Sequence, residues 1–505
     1  MKYLCKFLLF TFLPIYCLSF VFLTVSESNE STHPKDKEGY NVILIIIDDL
    51  RPDHLGCYGY ANHTSPAIDK VAKDSFIFDN VFSQFDYTIA STMSIFTSLY
   101  PSSHGVLFVR KDKLSARVLT MPEIFNIYGY KTALFSNLKE PHLDIKAGFG
   151  RGFQNKVELG IQFEGRDELL SWIQKNKAEK FFLAMHDRRV HDYYLFINNF
   201  DKVNKRSFGV VDKSFYHKLI KLAKSQKPPF DDPKIYLEHR SLFNGSYADG
   251  KTEQITQLVA AEKRAKLEEM RGILQTSWIE NLGVKDTKSW IAAYDACIQA
   301  VDKELIEPII MKLKALGLYD KTVLIITADH GESFGEHGFF GHGFGPLDVL
   351  LRVPLIIKMP NTKEGKRIKE LIQSIDIMPT LLETTEIKVP HQAQGRSFIG
   401  LMTTGDCSSP LHKYIFAEGL EAKSIRSQEW KLLIVFGREK KLFHISLDPE
   451  ETHDVYSQNR DIGKKLEIEL NLWESSLTSY KDKEYLFSPE IDKAGQERIR
   501  KTGYW

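Results

Sequence analysis

Val42-Ile43-Leu44-Ile45-Ile46-Ile47-Asp48-Asp49 decides the fold. Six aliphatic residues follow one another without polar alternation, which predicts a central parallel strand buried on both faces. The run stops abruptly at two acids. Thr322–Thr327 repeats the pattern and ends in Ala328-Asp329-His330-Gly331, and Phe181–Met185 repeats it ahead of His186 and His191. Between these runs lie helical patterns such as Ile298–Leu316, with apolar residues three and four apart. Strands alternating with helices predict an α/β fold, a central and mostly parallel sheet flanked by helices. Ligands in such sheets sit beyond the carboxyl ends of the strands. Asp48, Asp49, Asp329 and His330 all fall there, so residues distant in sequence are expected to share one site.

The 505 residues suffice for one large α/β domain and a smaller one, and 43% hydrophobic with 26% charged residues is ordinary for a globular chain. A net charge of +1 gives no bulk attraction to nucleic acid. Residues 1–26, with Lys2 and Lys6 ahead of the apolar run Phe7–Val25, are expected to be a signal peptide or an N-terminal anchor. The folded part is then exported: periplasmic, extracellular, or membrane-associated through that segment. Residues 27–39 read as a linker, 40–390 as the catalytic domain, and 391–505 as a C-terminal α+β subdomain and tail. Within the large domain, 231–290 reads as a helical insertion, since Gln254–Gln275 is rich in helix formers. In the tail Lys413–Phe416, Trp430–Phe436 and Lys441–Ile445 read as strands and Ile462–Leu477 as a helix. Cys57, Cys297 and Cys407 are too few and too scattered for a disulfide framework or a zinc knuckle. Sequons stand at Asn29, Asn62 and Asn244.

The hydroxyl-rich turn Tyr87-Thr88-Ile89-Ala90-Ser91-Thr92 runs on through Ser94–Thr97 to Tyr100-Pro101 and His104-Gly105. With Asn41–Asp49 and Gly56–Gly59, it resembles the opening of the sulfatase family, within the alkaline phosphatase superfamily. Lys180–Leu183 with His191, the helix Tyr294–Asp302, the block Thr327–Glu332, then Gly335–Gly338, Gly341-His342-Gly343, Val353–Leu355, Ile375–Leu381 and Asp448–Glu451 are similar to that family's later landmarks, in order. The resemblance implies one divalent-metal site held by Asp48, Asp49, Asp329 and His330, with the Thr88 oxygen facing the metal. Carboxylates with one imidazole suit Ca²⁺, Mn²⁺, Mg²⁺ or Zn²⁺, and residue types alone do not choose.

The departures bear on mechanism. The family opens this turn with a Cys or Ser that becomes formylglycine and places an Arg four residues on; here those positions hold Thr88 and Thr92. A β-methyl group bars Thr88 from becoming that aldehyde, and a sulfated threonine lacks the aldehyde hydrate's way of expelling sulfate. The family's next lysine aligns with Asn137, with Lys139 and His142 as shifted alternatives. A threonine hydroxyl can instead attack phosphorus when a metal lowers its pKa; otherwise Thr88 is a helix N-cap. His191 and His342 are candidate anion binders or general acids, with His337 and His186 weaker. The expected function is a metal-dependent hydrolase or transferase cleaving phosphate mono- or diesters through Thr88. Its substrate is expected to be a phosphorylated or sulfated small molecule, lipid head group or glycan. Sulfate-ester hydrolysis without formylglycine, or an inactive ligand-binding relative, are the alternatives.

Overall fold

The computed structural model describes residues 39–108, 112–137, 143, 145–160, 164–191, 193, 287–338, 340–403, 410–420, 422–435 and 439–480. The N-terminal segment, Lys139, His142, Cys407, the helix expected at Gln254–Gln275 and the end of the tail lie outside the described residues.

The strands are β1 (Asn41–Ile47), β2 (Phe76–Phe82), β3 (Lys131–Ser136), β4 (Asn155–Glu158), β5 (Phe181–Asp187) and β6 (Thr322–Thr327). A short hairpin pairs β7 (Ser333–Phe334) with β8 (Phe340–Gly341), and β9 (Leu355–Lys358) and β10 (Lys366–Gln373) complete the large domain. Eight of these form one sheet in the order β10-β2-β9-β6-β1-β5-β3-β4. Only β9 runs against the others; every other pairing is parallel. All seven residues of β1 are buried, between β5 and β6. Its six aliphatic side chains contribute roughly 10 kcal/mol or more of gross hydrophobic stabilisation, much of it offset by chain entropy. The most apolar run of the sequence therefore occupies the centre of the sheet.

Strand β5 continues two residues past the apolar run, because His186 and Asp187 still pair with Ile46 and Ile47 of β1. The helical pattern at Ile298–Leu316 is part of a longer feature. It begins with the helix Thr287–Val301, widens into a π-turn at Asp302–Ile306, and continues as the helix Glu307–Ala315. Pro308 has no N–H for the regular ladder, which accounts for the widening there. Thr287–Trp290, expected in the insertion, form the first turn of this helix.

The C-terminal sheet is antiparallel: β11 (Ile415–Glu418), β12 (Ala422–Arg426), β13 (Trp430–Val435) and β14 (Glu439–His444). The helix Arg460–Ser476 packs Leu466, Leu470 and Trp473 onto Ile425, Leu432 and Leu442. Tyr100 and Ile375 of the large domain join the same apolar cluster. Neither Cys57 nor Cys297 forms a disulfide.

Candidate active site

Three parallel strands end side by side, and their continuations supply most of the site. Asp48 and Asp49 follow β1, Asp329 and His330 follow β6, and His186 is the next-to-last residue of β5. Asp49 takes a left-handed backbone (φ 63°), a region that Asp tolerates better than most residues. Tyr294, fully buried, braces that turn: its hydroxyl donates to the Asp49 carbonyl at 2.6 Å and accepts from the Arg51 N–H at 2.8 Å.

Thr88 opens the helix Thr88–Thr97, all ten residues of which are buried. The N-cap is Tyr87, and Thr88 does not cap the helix. Its Oγ1 lies 3.1 Å from Nε2 of His330 and 3.4 Å from Oδ1 of Asp48. One turn on, Thr92 donates to Asp329 Oδ2 at 3.4 Å. Two hydroxyls four residues apart thus share one helix face and point at two carboxylates. The helix N-terminus adds a partial positive charge where an anion would sit. His104 anchors the helix from behind. Its Nδ1 accepts from the Val106 N–H at 3.0 Å, so the Nε2 proton faces the Ala90 carbonyl at 3.2 Å and the Ser94 hydroxyl at 3.1 Å. Burial pushes that imidazole down to about 3, so it stays neutral.

The imidazole of His330 divides the site in two. Nε2 faces Thr88, Asp48 (3.6 Å) and Asp329 (3.8 Å). Nδ1 hydrogen bonds the Gly331 carbonyl at 3.0 Å and makes an ionic contact with Asp49 Oδ1 at 2.9 Å. His342 lies on the Nδ1 side, with its own Nδ1 2.9 Å from Glu332 Oε2 and 3.4 Å from Asp49 Oδ1. The His191 ring is 5.2 Å from that of His342, and Arg188 Nη2 approaches His191 Nδ1 at 3.4 Å. His186 Nε2 stands 3.3 Å from Asp329 Oδ2.

Burial raises the carboxyl of Asp48, helped by Asp329; burial and Glu332 raise Asp49 well above the ordinary range. Burial also opposes ionisation of Asp329, but His330 and His186 hold it low. Burial and the neighbouring His330 lower His342. Buried acids are tolerated when paired or ligating. Yet Asp48 Oδ2, Asp49 Oδ2 and Glu332 Oε1 are buried without a hydrogen-bond partner, while Asp49 Oδ1 has the ring nitrogens of His330 and His342 at 2.9 and 3.4 Å. Such a donor set fits a divalent cation.

Thr88, Asp48, Asp49, Asp329, His330, His191 and His342 therefore come together, and His186 joins them. His337 does not: it is exposed in the turn Glu336–Gly338. Asn137, where the family's lysine was expected, is buried, with neither amide atom hydrogen bonded. Sequence reasoning assigned no role to Glu332, Arg188 or the brace Tyr294. Two arginines directly after a buried strand were the one signal available for Arg188.

The family model for Sulfatase matches residues 40–387. The chain belongs to the sulfatase family. A second model, N-sulphoglucosamine sulphohydrolase, C-terminal, matches residues 335–476. The chain is 24% identical over 468 residues to an arylsulfatase of Clostridium perfringens, covering 85% of this chain and 93% of that one. It is 23% identical over 527 residues to an N-acetylglucosamine-6-O-sulfatase of Bacteroides thetaiotaomicron, covering 93% and 91%. The phosphonate monoester hydrolase of Agrobacterium radiobacter shares the fold, with a TM-score of 0.61 at 19% identity, over 86% of this chain and 95% of that one. Family and fold together support a hydrolase acting on esters.

Proposed function

We propose that this sulfatase-family chain is an exported, divalent-metal-dependent enzyme that cleaves phosphate mono- or diesters with Thr88 as nucleophile. The observation that carries the reading is the position of Thr88 Oγ1, 3.1 Å from His330 Nε2 and 3.4 Å from Asp48 Oδ1, on a residue that cannot become formylglycine. Asp48, Asp49, Asp329, His330 and Thr88 would hold the ion, with His186 close by. A divalent ion at that place lowers the pKa of a hydroxyl and offsets charge that builds on phosphoryl oxygens.

In the first step Thr88 Oγ1 bonds to phosphorus as the bond to the leaving oxygen breaks. The hydroxyl proton passes to Asp48 Oδ1, the nearest carboxylate oxygen, and His191 or His342 protonates the leaving oxygen. In the second step the same imidazole takes a proton from water, or from an acceptor alcohol, as that oxygen displaces Thr88 from phosphorus and Asp48 Oδ1 returns its proton to the departing Thr88 Oγ1. Arg188 places a buried cation beside His191. Asn137 keeps the β3 end neutral where the family resemblance called for a lysine. The substrate class is a phosphorylated or sulfated small molecule, lipid head group or glycan. The lysines and apolar run of residues 1–26 support export; among the described residues no helix is long and apolar enough to cross a membrane.

A second reading, sulfate-ester hydrolysis by unmodified Thr88, is favoured by the names of the two curated relatives. The test is turnover of aryl phosphomonoester, phosphodiester, phosphonate monoester and sulfate ester substrates with Mn²⁺, Ca²⁺, Mg²⁺ or Zn²⁺, with Thr88→Ala alongside. Turnover of phosphorus esters, lost in Thr88→Ala, is expected. Sulfate turnover lost in Thr88→Ala would establish the second reading, and no turnover of any substrate would remove both.

A further inference from the structure

We propose, resting on the phosphorus-ester reading above, that Asn137 is a specificity-determining residue. With Ser136 it forms an uncharged subsite at the end of β3 that favours singly charged phosphodiesters over doubly charged phosphomonoesters.

Two consecutive side chains point to a ligand. Asn137 is 4% exposed and Ser136 is 1% exposed. Both amide atoms of Asn137 and the hydroxyl of Ser136 are buried and make no hydrogen bond. A buried amide normally finds partners, because stripping it of water without replacement is costly. Three such atoms on neighbouring residues mark a place where the partner comes from outside the chain. Strand β3 lies beside β5, and Ser136 is the register partner of His186. Paired residues of parallel strands project to the same face of the sheet. Ser136 therefore shares a face with His186, whose Nε2 is 3.3 Å from Asp329 Oδ2. One residue further along stand Asn137 on this strand and Asp187 on β5, and the Asp187 carbonyl accepts from the Asp48 N–H at 2.9 Å. The subsite thus adjoins the acids at the carboxyl edge of the sheet, where ligands of such folds sit.

Its chemistry selects the charge of the ligand. An amide offers two donors and an acceptor, and a hydroxyl offers one donor and an acceptor, none of them charged. Neutral donors suit one ester or phosphoryl oxygen, whereas a second full negative charge calls for a cation. A phosphodiester carries a single negative charge, and a phosphomonoester carries nearly two above neutral pH. The arginines of the neighbouring strand end are placed elsewhere: Arg188 beside His191, and Arg189 donating to Asp187 Oδ1 at 2.8 Å. Asn137 consequently leaves the second charge of a monoester unmatched at the β3 end.

The experiment compares a diaryl phosphate with the aryl phosphate of the same phenol, on full-length metal-loaded protein at mildly alkaline pH. The wild type should favour the diester in kcat/KM by about tenfold. Asn137→Lys should lower that ratio by about tenfold, mainly through gain on the monoester. Asn137→Leu, which removes the amide and suits burial, should lose about tenfold in diester turnover while holding its thermal midpoint. A wild-type preference for the monoester overturns the proposal, as does an unchanged ratio in Asn137→Lys. So does Asn137→Leu with full diester turnover and a raised midpoint, the outcome for an amide that meets only water. Where Asn137→Lys does not fold, the wild-type ratio and Asn137→Leu decide. Absence of turnover on every substrate would remove the Thr88 reading and leave this one open to binding. Isothermal titration of diphenyl phosphate and phenyl phosphate into the same proteins then reads the ratio as affinities, and the same results support or overturn it.

Discussion

Two buried clusters of charge, one around Asp348 and one at the carboxyl ends of β1 and β6, treat their acids differently. Towards the C-terminal sheet, Asp348 receives Lys431 at 2.7 Å and Arg426 at 2.9 Å, while Lys431 also meets Glu451 at 2.5 Å. Despite burial, Lys431 and Arg426 bring Asp348 down to about 2. At the carboxyl ends of β1 and β6, by contrast, Asp48, Asp49 and Glu332 keep buried oxygens without hydrogen bonds. The first cluster pairs its acids with Lys431 and Arg426 and ties the two sheets together, though Glu451 Oε1, like the oxygens of the site, makes no hydrogen bond. The second gathers four buried carboxylates around imidazoles, a donor set that a divalent cation fits.

The comparison can be broken most sharply at Thr88. Thr88→Ala should lower turnover by about 10³-fold or more while leaving the thermal midpoint nearly unchanged; a large stability loss would place Thr88 with the structural cluster. Chelation comes next. Removing divalent metal should abolish activity and cost about 3 kcal/mol of stability relative to protein in metal well above its Kd, reversed on adding the metal back. Thermal melts with and without chelator give the answer. The paired cluster should respond in the opposite way. Lys431→Met strands Glu451, leaves Asp348 with Arg426, and should cost about 3–5 kcal/mol in denaturant unfolding, with little change in metal content.

Tyr294→Phe probes the brace between the two behaviours. Losing the hydroxyl leaves the Asp49 carbonyl and the Arg51 N–H unmet, for about 1–3 kcal/mol, and should weaken metal binding as well. A pH effect concerns Glu418 of β11, which Ser102 bonds at 2.8 Å through its hydroxyl and which burial raises to about 7. A folded pKa above the unfolded one stabilises the protein fully below the unfolded value, and that stability is lost as pH rises through about 7. Glu418→Gln should therefore flatten stability between about pH 4.5 and 7, by up to about 3 kcal/mol. Unfolding curves across that window check the sign.

How much of this was legible in the sequence depends on which interactions were local. The strands β1 and β6 were readable because both faces are buried and the apolar runs are unbroken. Their acidic ends then followed from the rule for open sheets, and the family motifs added Thr88. Strand β12 was not readable: Ala422-Lys423-Ser424-Ile425-Arg426 is mixed in character, and its place is set by pairing with β11 and β13. His186 was undervalued because the apolar run stops at Met185 while the backbone pairing continues. The cap reading of Thr88 fell to geometry, since the helix starts one residue earlier in the count than a cap at Thr88 requires. The division of the site by His330 depends on which ring nitrogen faces which acid, and only the three-dimensional arrangement contains that.

The central claim is that Thr88 is a nucleophile towards phosphorus. It is tested most directly by mass spectrometry of the metal-loaded protein quenched during turnover of a phosphodiester or phosphomonoester substrate. A phosphoryl adduct on Thr88, absent with sulfate esters and absent in Thr88→Ala, is the predicted result. Sustained phosphoester turnover by Thr88→Ala, with no adduct on the wild-type residue, would contradict it.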